Sequence, residues 1–123
     1  MKLMTIQLAK WRKVQPPMLL VDASIKSGNP LLAPNWPLLQ SYKSGLTSDD
    51  EYEKEFKRAI KIRWMVNHDF VNLVSHMIHE PNVQVLGCYC PAGTFCHRHL
   101  LVDFFKLFCE KNNIEFEYLG ELT

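Results

Sequence analysis

The polar and apolar positions of this chain change period several times. "KLMTIQLAKW" alternates weakly and reads as a strand. "MLLVDAS" (Met18 to Ser24) is a continuous apolar run that stops at Asp22, the pattern of a buried parallel strand with a polar carboxyl end. "KSGNPLLAPNWPLLQSYKSGLT" (26 to 47) holds three prolines and two glycines, which interrupt ladders and helices alike. It predicts a long ordered loop with a short helix at Pro37 to Tyr42. A helical period then takes over. Ser48-Asp49-Asp50-Glu51 has the form of a capping box. Tyr52, Phe56, Ala59, Ile60 and Arg63 follow at helical spacing, with Glu53 and Lys57 paired outside. A second helix is predicted from Asp69 to His79, with Phe70, Val71, Val74, Met77 and Ile78 on one stripe and Pro81 past its end. "VQVLGCY" (Val83 to Tyr89) reads as a buried strand. "FCHRHLLVDFFKLFCEKNN" reads as an amphipathic helix that turns Leu101, Phe104, Phe105 and Phe108 to a sheet. "IEFEYLGEL" alternates cleanly, Ile114, Phe116 and Tyr118 inward and Glu115 and Glu117 outward, as an edge strand does.

Strands separated by crossover helices predict an α/β fold, a three-layer Rossmann-like sandwich around a mostly parallel sheet of four to five strands. The 123 residues suit a single domain over 1–123. In such sheets ligands bind beyond the carboxyl ends of the strands. Two strand ends are polar here, Asp22-Ala23-Ser24 and Cys88-Tyr89-Cys90, and they are expected to be neighbours that line one site.

Composition narrows the reading. A formal net charge of +1 gives no case for binding nucleic acid or a membrane surface. No apolar run approaches the roughly 18 residues a membrane helix needs. The amino terminus does not have the form of a signal peptide, which points to a cytoplasmic protein with reduced thiols. The four cysteines then read as free, catalytic or metal-bound rather than as two disulfides.

The candidate chemistry lies in "CYCPAGTFCHRH". Cys88 and Cys90, two apart, would share one face of a strand. Pro91-Ala92-Gly93 would turn, and Thr94 would cap the next helix, placing Cys96, His97 and Arg98 in its first turn. A helix start offers free N–H donors and about half a positive charge, which favours a phosphate and acidifies a thiol. Arg98 would add a bidentate grip on an anion. C-x-C-x5-C-H also supplies four ligands soft enough for zinc. Structural zinc sites, however, pair two separated knuckles, and C-x-C on a strand fits a tetrahedron poorly. No metal and no cofactor is therefore expected. Asp22 could hold a ribose hydroxyl or act as a base. Lys26, Ser27, Gly28 and Asn29 could close over a ligand, and Trp36, Tyr42 or Tyr89 could stack on a base. His68, His76 and His79 read as a solvated face, and Cys109 as packing.

"VQVLGCYCPAGTFCHRHLLVDFF" with "LLVDAS" resembles the signature of the domain-of-unknown-function 488 family. The Gly-Asn-Pro loop "SGNPLLAP", with Cys-aromatic-Cys and a later Cys-His, is similar to the related domain-of-unknown-function 4326 group. The resemblance spans Met18 to about Leu119. It implies an α/β sandwich that binds or processes nucleotide-derived ligands, in proteins many of which are carried by bacteria and their phages. Matched by position, it implies a site of Asp22, Cys96, His97 and Arg98 from the first family and of Gly28, Asn29, Cys88, Cys90, Cys96 and His97 from the second. An arginine usually follows the aspartate in the first family; here the run is Ala-Ser-Ile-Lys, and Lys26 supplies a charge without a planar fork.

The expected function is to hold a small nucleotide- or nucleoside-like ligand with its phosphate at the helix start near Cys96. Lys26, Ser27, Gly28, Asn29, Cys88, Tyr89, Cys90 and Arg98 would bind it. Asp22, Cys96 and His97 would act if the protein cleaves or transfers an N-glycosidic or phosphate ester bond. A non-catalytic phage-type sponge for a nucleotide signal and a zinc-bearing interaction module are the alternatives. An exposed edge strand and the aromatic-rich loop would permit a homodimer without demanding one.

Overall fold

The computed structural model describes residues 1–90 and 95–123. The turn expected at Pro91-Ala92-Gly93 and the cap expected at Thr94 lie outside these residues. Four strands form one sheet: β1 (Lys2–Gln7), β2 (Leu19–Asp22), β3 (Gln84–Cys88) and β4 (Glu117–Leu122). All pair in parallel, in the order β2-β3-β1-β4. Four helices accompany them: α1 (Trp36–Lys43), α2 (Asp49–Val66), α3 (His68–Ile78) and α4 (His97–Lys111). This is the predicted α/β three-layer, Rossmann-like arrangement. Leu3 and Leu86 face the helices and join a core with Phe56, Ile60, Phe70, Val74, Leu101 and Phe105. The other face is thin. A 3-10 segment, Leu8–Lys13, crosses it and presses Leu8 onto Ile6 and Gly87.

Local chemistry accounts for the helices. Asn35 caps α1 and Pro37 sits in its first turn. Ser48 and Glu51 form the capping box of α2. Asn67 closes α2 and its side chain caps α3. Tyr52, Phe56 and Ile60 bury the inner stripe of α2, and Glu53 and Lys57 pair outside at 3.7 Å.

Three local readings need correction. The apolar run at Met18 to Ser24 is an edge strand, with Leu19 and Leu20 exposed, because among the described residues β2 pairs with β3 alone. The strand at the start stops at Gln7. The final strand begins at Glu117, and its alternation breaks at Gly120. Leu3 pairs with Tyr118 and Thr5 with Glu121, so three steps on β4 answer two on β1. Gly120 makes this bulge with φ of +100°, a conformation glycine adopts freely. The extra residue turns Glu121 to the helix side of the sheet.

Candidate functional site at the ends of the second and third strands

Asp22 of β2 stands beside Gly87 of β3, so the two polar strand ends are neighbours. Asp22 is partly exposed and its carboxylate is locked. Oδ1 accepts from the Ser24 backbone N–H at 2.9 Å and from the Ser24 hydroxyl at 2.7 Å. Oδ2 accepts from the Ser27 hydroxyl at 2.6 Å. That uses the one proton of Ser27, so the Tyr89 hydroxyl, 2.9 Å away, donates to Ser27 Oγ. A single chain of hydrogen bonds thus joins the loop after β2 to the segment after β3.

The Gly-Asn-Pro loop folds back on the same aspartate. The Asn29 N–H donates to the Asp22 carbonyl and the Gly28 N–H to the Ser24 carbonyl. A Cβ on Gly28 would overlap the Asp22 backbone and carboxylate, so only glycine permits this approach. Asn29 turns its own Oδ1 to the Leu31 N–H at 3.0 Å, which makes it a builder of the loop. Lys26 is exposed on the turn. Arg63 of α2 reaches the far side of the loop and donates to the Leu31 and Ala33 carbonyls, both at 2.8 Å. Burial lowers its pKa, yet two carbonyl acceptors hold it.

Beneath this polar surface lies a buried layer. Cys96 is the N-cap of α4 and makes no side-chain cap bond. Cys88, Cys96 and His97 are all buried, and one ligand atom from each lies within 4.8 Å of the others. The Cys88 and Cys96 sulfurs are in direct, disulfide-like contact, with Cα atoms 7.9 Å apart. Cys90 lies past the end of β3, is partly exposed, and is free, as is the buried Cys109. The shared strand face expected for Cys88 and Cys90 required both to lie on β3, and the strand ends at Cys88. His97 Nε2 is 2.7 Å from the Ala23 carbonyl. A carbonyl only accepts, so Nε2 carries the proton and Nδ1 presents its lone pair to Cys96 Sγ at 3.6 Å. Burial drives the His97 pKa down to about 4, with the Arg98 charge adding to the effect and the Ala23 bond opposing it. The ring is therefore neutral at physiological pH.

Arg98 is not placed where an anion would meet it. It is 0% exposed. Its Nε and Nη2 take the two Glu121 oxygens at 3.2 and 2.8 Å, and its Nη1 donates to Cys88 Sγ at 2.8 Å and the Cys90 carbonyl at 3.1 Å. The bidentate fork was legible, but its partner is the protein's own carboxylate. Burial alone would raise the Glu121 pKa; bonds from Arg98 and Thr5 and the Arg98 charge more than offset this and hold it low.

The aromatic candidates divide. Tyr89 is 54% exposed beside Ser27, and Trp36 is exposed on α1. Tyr42 packs with Tyr52 and Phe95 in an aromatic cluster. His68, His76 and His79 are exposed, as expected. Surface hollows along α1 and between α4 and β4 lie away from Asp22. Sequence reasoning missed Arg63 and Glu121. Arg63 did carry a signal, an arginine on the inward stripe of α2. Glu121 carried none until the bulge at Gly120 was known.

Comparison with known proteins fits this picture. No curated protein and no solved structure matches the chain. A family profile described as DUF488-N3a, the active DUF488-N3 subclade, matches residues 11–107, a span that holds Asp22, the Gly-Asn-Pro loop and the Cys-His-Arg helix start. The chain therefore belongs to the DUF488-N3a family.

Proposed function

We propose that this protein binds a nucleotide- or nucleoside-like small molecule over the ends of β2 and β3 and acts on its N-glycosidic bond. One observation carries the reading. Asp22, a partly exposed carboxylate, is fixed by three donors at the carboxyl ends of adjacent parallel strands, where such folds collect ligands. Those donors fix the carboxylate in place, so it need not reorganise when charge develops nearby. Oδ2 receives only one protein donor described here, which leaves it a lone pair for a sugar hydroxyl or for the positive charge that builds at an anomeric carbon as a base departs. Tyr89 offers a ring face next to it.

Asp22 is the acting group in this reading and Cys96 is not, because Cys96 is 3% exposed and pressed against Cys88. Family membership in a subclade described as active favours turnover over a passive sponge. The test is a thermal-shift screen of nucleotides, nucleosides and ADP-ribose derivatives. A shift that survives in Arg98-intact protein and is lost in Gly28→Val supports the site. Absence of a shift with every such compound overturns it.

A further inference from the structure

The polar cluster leaves the buried layer unexplained. Two sulfurs and an imidazole nitrogen converge there from two elements: Cys88 from the end of β3, and Cys96 and His97 from the start of α4, with His97 tied to the end of β2 through Ala23. We propose that Cys88, Cys96 and His97 form a binding site for a thiophilic divalent cation of the zinc type.

Four features carry the proposal. The donor set, two thiols and an imidazole, is the borderline-soft set that zinc prefers over calcium or magnesium. The His97 tautomer is already the one a metal needs. Its Nε2–H is donated to the Ala23 carbonyl, and its Nδ1 lone pair faces the sulfurs. A ligating histidine is oriented in this way by a backbone or carboxylate acceptor on its other nitrogen. Arg98 donates to Cys88 Sγ at 2.8 Å, which fixes that sulfur at the end of β3. Finally, the Cα atoms of Cys88 and Cys96 are 7.9 Å apart, wider than the roughly 4.4–6.8 Å that a disulfide spans. Two metal–sulfur bonds of about 2.3 Å hold sulfurs about 3.8 Å apart, which suits the wider backbone.

Charge closes as well. Two thiolates balance a dication, and Glu121 faces Arg98. The fold brings Cys88 to the Cys-His of α4, a grouping that depends on where α4 docks. The ion would clamp the ends of β2 and β3 to the start of α4, directly under Asp22. Three protein ligands leave a fourth position to a group outside the trio.

The decisive experiment is elemental analysis of the untagged, full-length protein, purified without chelator under reducing conditions, followed by cobalt substitution. About one zinc per chain is expected. Cobalt should give thiolate-to-metal charge-transfer absorption together with tetrahedral ligand-field bands. Cys96→Ser should lose most of the metal, and Cys109→Ala should keep it. If Cys96→Ser does not fold, the wild-type metal content and cobalt spectrum decide alone. Clearly substoichiometric zinc with no cobalt–thiolate absorption overturns the proposal. So does an intact mass lower by two hydrogens with Cys88 and Cys96 joined in one peptide, which identifies a disulfide. Metal retained at full occupancy in a folded Cys96→Ser also overturns it.

Discussion

The surface cluster of Asp22, Ser24, Ser27 and Tyr89 and the buried layer of Cys88, Cys96, His97 and Arg98 meet at Ala23, yet they follow different physics. In the first, a carboxylate gathers short hydroxyl and amide donors at the edge of solvent. Such a group can be changed at little cost to the fold, because water can replace its partners. In the second, a guanidinium with no exposure is held by a carboxylate, a sulfur and a carbonyl. Removing one partner there strands a desolvated charge. Residues that look alike in sequence, a polar strand end and a polar helix start, thus divide into one set at the edge of solvent and one that holds the floor beneath it.

That division makes graded predictions. Glu121→Ala should be the most damaging, costing about 3–5 kcal/mol, the range for breaking a buried ion pair. Urea unfolding would measure it, and a loss below about 1 kcal/mol would mean that Arg98 does not need the carboxylate. Arg63→Met should cost about 1–3 kcal/mol, because the Leu31 and Ala33 carbonyls lose a donor. It should also raise the protection loss of residues 27 to 34 in hydrogen exchange; unchanged exchange there would remove Arg63 as the anchor of the loop. Gly120→Ala should cost on the order of 1 kcal/mol through backbone conformation, since nothing crowds a Cβ at that position. Asp22→Asn should be the mildest on stability, within about 1 kcal/mol by the same unfolding assay. If it unfolds the protein instead, the polar cluster is structural and the contrast between the two regions fails.

Much of the fold was legible in the sequence, for identifiable reasons. The capping box at Ser48 and the stripe of Tyr52, Phe56 and Ile60 are local signals, and they place α2 correctly. The adjacency of the two strand ends, with Asp22 beside Gly87, follows from the connectivity of parallel strands. The apolar run of β2 misled because a parallel edge strand can keep its hydrophobic sequence. Arg98 misled for a deeper reason. Its first-turn position predicts an anion, but which anion depends on a residue 23 positions later that a bulge turns inward. The pairing of Cys88 with Cys96 likewise depends on where α4 docks, which no spacing rule contains.

The central claim, that Asp22 acts on a nucleotide-like ligand, is tested most directly by product analysis. Wild type and Asp22→Asn would each be incubated with whichever compound gives the largest thermal shift, and the mixtures read by mass spectrometry. The account predicts a released base or sugar product with wild type, and bound but unchanged ligand with Asp22→Asn. Equal turnover by the two proteins, or unchanged ligand recovered from both, would contradict it.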